Sequence, residues 1–302
     1  MVSTITYTQC PVCLETDIGK IFTCKDYSVS KEDFDVWECA SCTLRFTQNA
    51  PDAAGIVRYY QSAEYVSHSN TKKGLVNILY HRIRNHTLKL KRSLIKKATG
   101  KEQGHLLDVG AGTGSFAQIM QQSGWRVTGL EPDETARNNA KRNYNLLLDP
   151  PGRLHEFEAD SFDALTLWHV LEHVHDLHQY LETFHKILKK GGKLFIAVPN
   201  YTSTDAQIYG RCWAAYDVPR HLYHFSPASM KVLLESEGFT LEQMKPMWFD
   251  SFYISMLSEK YKGRSNLFAA AWNGLRSNLK AYSNVRRCSS LIYIASKKST
   301  EA

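Results

Sequence analysis

Leu106-Leu107-Asp108-Val109-Gly110-Ala111-Gly112-Thr113-Gly114-Ser115-Phe116 reads as a buried strand that ends in a glycine-rich turn and then opens a helix. Glycines at 110, 112 and 114 let the backbone turn sharply and approach a ligand closely, because no Cβ intervenes and positive φ costs little. The spacing discriminates between nucleotide cofactors. A dinucleotide fingerprint, G-x-G-x-x-G/A, places its third small residue at 115, which here is Ser115, and needs no acid two residues before the first glycine. This turn instead spells D-x-G-x-G-x-G. A tight turn with no ligand would use the same residues, so the reading depends on what stands downstream.

A second strand-like run, Arg126 to Leu130, ends in Glu131-Pro132-Asp133. An acid at that point can accept hydrogen bonds from both hydroxyls of a ribose. Farther on, Asp160-Ser161-Phe162-Asp163 leads into a buried run, Ala164 to Leu167, and then Trp168-His169-Val170-Leu171-Glu172-His173. Together these stretches resemble class I S-adenosylmethionine-dependent methyltransferases over roughly residues 104–245. The resemblance implies an α/β fold: a seven-stranded, Rossmann-like, doubly wound sheet. It implies that Asp108, Gly110, Ala111, Gly112, Thr113 and Gly114 face the methionine part of the cofactor and that Glu131 holds its ribose. The fourth strand then ends near the sulfonium, with Trp168 and His169 at its mouth. An acidic or polar group against adenine is implied after the third strand, where Asp149 stands in the turn Leu148-Asp149-Pro150-Pro151-Gly152.

The rest of the chain supports a βαβ rhythm and hence a parallel sheet with helices on both faces. Strands are expected at 106–109, 126–130, 146–148, 164–167, 193–198, 239–245 and 291–295. Helices are expected at 115–123, 134–143, 176–190 and 227–237, with Gly191-Gly192 capping the third of them. An insertion at 247–289, holding several aromatic and basic residues, is expected as a lid over the acceptor pocket of a domain spanning 104–302.

Cys10-Pro11-Val12-Cys13 and Cys39-Ala40-Ser41-Cys42 form two C-x-x-C knuckles. Two knuckles complete a tetrahedral all-sulfur site that suits zinc, so residues 1–50 read as a zinc ribbon, with a hairpin pairing Ile21-Phe22-Thr23 and Val36-Trp37-Glu38 between them. Four thiolates leave no open position for water, which makes the expected zinc structural. Disulfides and a redox C-x-x-C are the competing readings. Cys24, Cys212 and Cys288 are left as buried free thiols.

The net charge of +7 is concentrated: nine Lys or Arg and no Asp or Glu lie between Lys72 and Lys97. Residues 51–103 therefore read as an aromatic patch, Tyr59-Tyr60 and Tyr65-Val66-Ser67-His68, followed by a basic helix that stops at Gly100. Leu75, Ile78, Leu79, Ile83, Leu90, Leu94 and Ile95 give that helix one apolar stripe. It either packs as a connector with a solvated cationic face or contacts nucleic acid, an anionic lipid surface or a phosphorylated substrate. With no uninterrupted run of about 18 apolar residues and no leader at Met1-Val2-Ser3-Thr4, a cytoplasmic protein is expected, peripheral membrane contact remaining open.

Methyl transfer from a sulfonium is a one-step displacement in which alignment supplies most of the rate. A base helps where the acceptor is a hydroxyl, an ammonium or a carbon acid. His169, His173, His221 and His224 are the candidates. Trp213, Tyr216, Asp217 and Arg220 are candidates for the acceptor side: the rings offer flat surfaces, and the Arg220 fork matches a carboxylate or phosphate or else bridges to Asp217. His169-Val170-Leu171-Glu172-His173 also spells H-x-x-E-H, a peptidase metal signature in mid-helix, but here it follows a buried strand. Glu172, His173 and a later histidine could instead hold a divalent ion that orients a hydroxyl acceptor. The expected function is methyl transfer to a small or carrier-linked metabolite such as a sugar, quinone or lipid precursor. The stretch Asp217 to Phe225 resembles bacterial methyltransferases related to the ubiquinone O-methylating enzymes. RNA methylation through ribbon and basic helix, and a non-catalytic cofactor-binding scaffold, are the alternatives.

Overall fold

The structure is a computed structural model that describes residues 3–60, 75–264 and 266–298, with nothing said of the side chains of 75–81. The Tyr65 to His68 patch and Lys72 lie outside the described residues, as do the side chains of Leu75, Ile78 and Leu79.

Near the N-terminus, β1 (Thr4–Ile5) pairs with β5 (Ala50–Pro51), while β2 (Ile18–Lys25), β3 (Asp33–Cys39) and β4 (Arg45–Gln48) form an antiparallel meander. Phe22 opposes Val36, the expected hairpin. The basic helix α1 spans Leu75–Thr99 and stops before Gly100, whose φ is +66°. Then come β6 (His105–Val109), α2 (Ser115–Gln122), β7 (Arg126–Leu130), α3 (Glu134–Tyr144), β8 (Phe162–Trp168), α4 (Leu177–Ile187) and β9 (Leu188–Pro199). The chain continues through α5 (Thr204–Tyr209), β10 (Tyr223–His224), α6 (Pro227–Ser236), β11 (Phe239–Pro246), α7 (Asp250–Tyr261), α8 (Leu267–Ser283) and β12 (Ser290–Lys297).

The central sheet runs in the order β11-β12-β9-β8-β6-β7. Its inner pairs are parallel, and β12 lies antiparallel between β9 and β11. Leu106, Leu107, Leu165, Leu167, Ile196 and Val198 are fully buried, as a sheet covered on both faces requires. All the parallel strands end at the edge where the glycine turn stands, so the ligand crevice is fixed by topology.

Two expectations change. The sheet has six strands, because the third expected strand shrinks to one bridge between Leu130 and Asp149 and gives way to a 3-10 turn at Pro151–Glu156. Pro150 and Pro151 have no N–H to donate to a ladder, which ends it there. The helix expected to 190 stops at Ile187, and Gly191-Gly192 instead sits in a bulge of β9, where the register against β8 shifts. A Cβ on Gly192 would lie 2.7 Å from Leu188 Cδ1.

The N-terminal cysteine segment is not a separate body. The strand β10, far along the chain, extends its sheet in the order β10-β4-β3-β2, and Cys10, Cys39, Cys42 and Phe46 share one apolar cluster with Leu107, Leu165 and Ile196. At the same junction the Arg220 guanidinium is buried and donates to Asp26 Oδ1 at 3.0 Å and Asp217 Oδ1 at 2.6 Å.

Candidate active site

The turn after β6 is a cradle with one open position. Gly110, Gly112 and Gly114 all have positive φ, of 70°, 56° and 78°. A Cβ on Gly110 would collide with Val170, and one on Gly114 would press on Ala140 and Leu146. A Cβ on Gly112 would meet nothing within 4 Å, so its Cα faces open space. Beside it, Glu131 is nearly buried. Its Oε2 accepts the Gly112 N–H at 2.7 Å, and its Oε1 accepts the Asp133 N–H at 2.9 Å. Each oxygen keeps lone pairs for a diol. Burial raises the Glu131 pKa, against the two backbone N–H groups. Asp149 is adjacent through the backbone, its carbonyl accepting the Glu131 N–H at 2.9 Å. Asp108 lies under the turn and accepts from the Thr166 hydroxyl at 2.8 Å, and burial pushes it up to about 7.

The opposite wall is the end of β8. Trp168 stacks edge-on against Phe116 of α2, and the Lys91 ammonium of α1 stands 4.1 Å above the Trp168 ring. Arg84, also on α1, donates to the Ser115 hydroxyl at the start of α2. Two cations of the basic helix thus turn toward the crevice. The apolar stripe holds at Ile95, which is buried, but Leu90 is exposed and lines a cleft of about 300 Å³ together with Lys91, Leu94, Met247, Trp248, Phe249 and Asp250.

His169 follows Trp168 with φ +59°, a left-handed conformation that a non-glycine residue adopts only where its surroundings hold it. Its Nε2–H donates to Asp250 Oδ2 at 3.0 Å, and its Nδ1–H to Glu172 Oε1 at 3.3 Å. Burial would lower its pKa, but the two carboxylates outweigh it and hold the ring at about 10, an imidazolium at neutral pH. Asp250 opens α7, so the expected lid insertion contributes directly to the strand mouth.

Glu172, His173 and His221 converge, each placing one ligand atom within 4.8 Å of the others. The His173 Nδ1–H donates to the Arg220 carbonyl at 3.0 Å and the His221 Nδ1–H to the Ala215 carbonyl at 2.8 Å. That leaves two Nε2 lone pairs, together with Glu172 Oε2, which is buried with no hydrogen-bond partner among the described residues. Burial takes His173 down to about 4. The set has the composition of a three-donor cation site.

The remaining candidates face inward. His224 is buried on β10, its Nε2–H donating to the Thr47 hydroxyl at 3.2 Å. Trp213 Nε1–H donates to Asp205 at 2.7 Å, and the Tyr216 hydroxyl accepts from Arg45 at 2.8 Å. Arg220 and Asp217 are occupied with each other and with Asp26. Lys91, Thr166 and Asp250 were not singled out from sequence; of these, only Lys91 carried a signal, as part of the acid-free basic run.

All seven cysteines are free. The four knuckle sulfurs lie within 4.8 Å of one another, with Cys10 to Cys42 and Cys13 to Cys39 both 3.5 Å. A tetrahedral ion with bonds of about 2.3 Å spaces its sulfurs by roughly 3.8 Å, so the cluster fits such an ion. Cys24 and Cys288 are buried as expected, and Cys212 is partly exposed.

Residues 80–244, more than half of the chain, match the family model described as a methyltransferase domain. The chain belongs to the class I S-adenosylmethionine-dependent methyltransferases. It is 32% identical over 183 residues to the ubiquinone biosynthesis O-methyltransferase of Actinobacillus pleuropneumoniae, covering 55% of this chain and 76% of that protein. It is 27% identical over 188 residues to the mitochondrial ubiquinone biosynthesis O-methyltransferase of Rattus norvegicus, 54% of each chain. The methyltransferase thus spans about half the length of this second relative. The solved structure of geranyl diphosphate C-methyltransferase from Streptomyces coelicolor aligns with a TM-score of 0.51 at 14% identity, covering 77% of this chain and 87% of that one. This last likeness is one of fold.

Proposed function

We propose that this methyltransferase transfers the methyl group of S-adenosylmethionine to a hydroxyl of a quinone-type small molecule held between α1 and the segment joining β11 to α7. The observation that carries the reading is the cleft: about 300 Å³, walled by Trp248, Phe249, Met247 and Leu94, and linked to the end of β8 by two of its lining residues, Asp250, bonded to His169, and Lys91, over the Trp168 ring. A wall that exposes mostly apolar area, with two aromatic rings, suits a flat apolar acceptor, although Lys91, Lys97, Lys245 and Asp250 also line it. The names of the ubiquinone-methylating relatives agree with it.

When bound, S-adenosylmethionine supplies a methyl carbon made electrophilic by its sulfonium. Glu131 holds the ribose diol, and Gly112 leaves room for the chain above the turn. The His169 imidazolium ties Asp250 to the end of β8, which draws α7 over the crevice and keeps water out. Transfer of that methyl group to an oxygen would release the hydroxyl proton, which needs an acceptor in the cleft. Lys91 lines the cleft, and burial lowers its amine to about 8, so near that pH it is partly neutral and able to receive the proton. Structural zinc at Cys10, Cys13, Cys39 and Cys42 and adenine contact at Asp149 belong to the same proposal. Arg84 and Lys91 of the basic helix turn toward the crevice, whereas Arg82, Lys89 and Lys97 stay exposed, so RNA methylation remains the second reading.

The test is transfer of isotopically labelled methyl from S-adenosylmethionine to soluble catechols and quinols, followed by mass spectrometry. We expect a labelled methyl ether, with Lys91→Met reducing kcat by about 10²–10⁴. Absence of transfer to any such acceptor by protein that still binds S-adenosylhomocysteine would sink the acceptor class.

A further inference from the structure

The helix α8 turns its largest apolar side chains away from the protein. Its inner face is made of small residues: Ala270, Gly274, Ser277 and Ala281 are buried, Gly274 lies against Phe252 of α7, and the Ser277 hydroxyl donates to Asp205 at 2.6 Å. On the other side Phe268 is 90% exposed, Trp272 65%, Leu275 43%, Leu279 64% and Tyr282 85%. With 3.6 residues per turn, these five fall within roughly 80° of arc. Neighbouring α7 adds exposed Phe252 and Met256. Single exposed apolar residues are ordinary, but an aligned stripe of this kind is the surface signature of a partner. Charge says which partner. Arg264, Arg276, Lys280, Arg286 and Arg287 lie in or beside the helix and are all exposed, and no Asp or Glu occurs between 264 and 287.

We propose that α8 lies in the headgroup region of an anionic lipid bilayer, with Phe268, Trp272 and Leu279 in the acyl boundary and Arg276 and Lys280 against lipid phosphates. Trp272 within the stripe and Tyr282 at its C-terminal end suit the interface between water and hydrocarbon. A second copy fits less well, since pairing two such faces brings cations together with no acid in the segment to receive them. Among the described residues no helix is long and apolar enough to cross a membrane, so the contact is peripheral. The inference stands apart from the identity of the acceptor.

The test is sedimentation of the full chain with phosphatidylcholine vesicles, made with and without phosphatidylglycerol. We expect binding that requires the anionic lipid. Phe268→Ser combined with Trp272→Ser should lower partitioning at least about tenfold, and Arg276→Glu combined with Lys280→Glu should do the same. Both variants should keep wild-type circular dichroism and wild-type affinity for S-adenosylhomocysteine, which separates lost docking from lost folding. Wild-type protein that ignores anionic vesicles, or either double variant binding them as wild type does, overturns the proposal. A dimer in gel filtration that the Phe268 and Trp272 changes dissolve, without vesicle binding, overturns it in favour of a second copy.

Discussion

Gly110 and Gly114 are glycines because protein atoms crowd them, whereas Gly112 is a glycine over open space, so the three residues of one motif answer to different causes. Gly112→Ala should therefore separate folding from binding. A left-handed φ at a residue with a Cβ costs about 1–2 kcal/mol, which lowers Tm by a few degrees, while the methyl group intrudes on the ligand space. We expect S-adenosylhomocysteine affinity to fall at least about tenfold by calorimetry; unchanged affinity would place the ligand elsewhere. At this scale the sequence was readable wherever a residue acts beside its neighbours in the chain. Asp108, the glycines and Glu131 stand at ends of adjacent strands, so spacing alone brings them together. The charge of His169 was not readable, because it is set by Asp250, a residue of a distant insertion. Nor could spacing show that Trp213, Tyr216 and Arg220 spend their polar atoms on Asp205, Arg45 and Asp26.

Among the elements, β8 is tied to the start of β6 by one buried carboxylate. Asp163 accepts from the His105 N–H at 2.8 Å and pairs with Lys189 at 2.9 Å and with Lys101. Burial works against ionisation there, but the two ammonium groups and the N–H outweigh it and hold the carboxyl at about 2, below its ordinary 3.8. A depressed folded-state pKa stabilises above the ordinary value and is lost as pH falls through the folded one. The contribution is thus complete above about pH 4 and fades toward about pH 2. Asp163→Asn should cost about 2 kcal/mol at neutral pH and much less near pH 2, read from urea midpoints. An equal loss at both pH values would show that packing, not charge, is responsible. Strands and helices were legible because the core is dense and periodic. The two failures have local causes: Pro150-Pro151 removed ladder donors, and Gly191-Gly192 served a bulge where a helix cap was expected. Long-range pairing of β10 with β4 left no mark in composition.

Over the whole molecule, the cysteine cluster and the methyltransferase sheet share one core, and the Arg220 ion pairs cross the same junction. Loss of zinc from this proposed site should therefore be felt beyond the first fifty residues. Cys39→Ser should release about one zinc per chain by elemental analysis and destabilise the protein by several kcal/mol, and full metal retention would contradict the assignment. The central claim is that the turn from Asp108 to Gly114, with Glu131, holds an adenosyl cofactor. Calorimetric titration with S-adenosylhomocysteine, against NAD as control, tests it most directly. The account predicts one adenosyl ligand per chain, no binding of NAD, and a loss of about 1–3 kcal/mol in Glu131→Ala from the missing ribose contacts. Equal affinity in wild type and Glu131→Ala, or no binding at all, would contradict it.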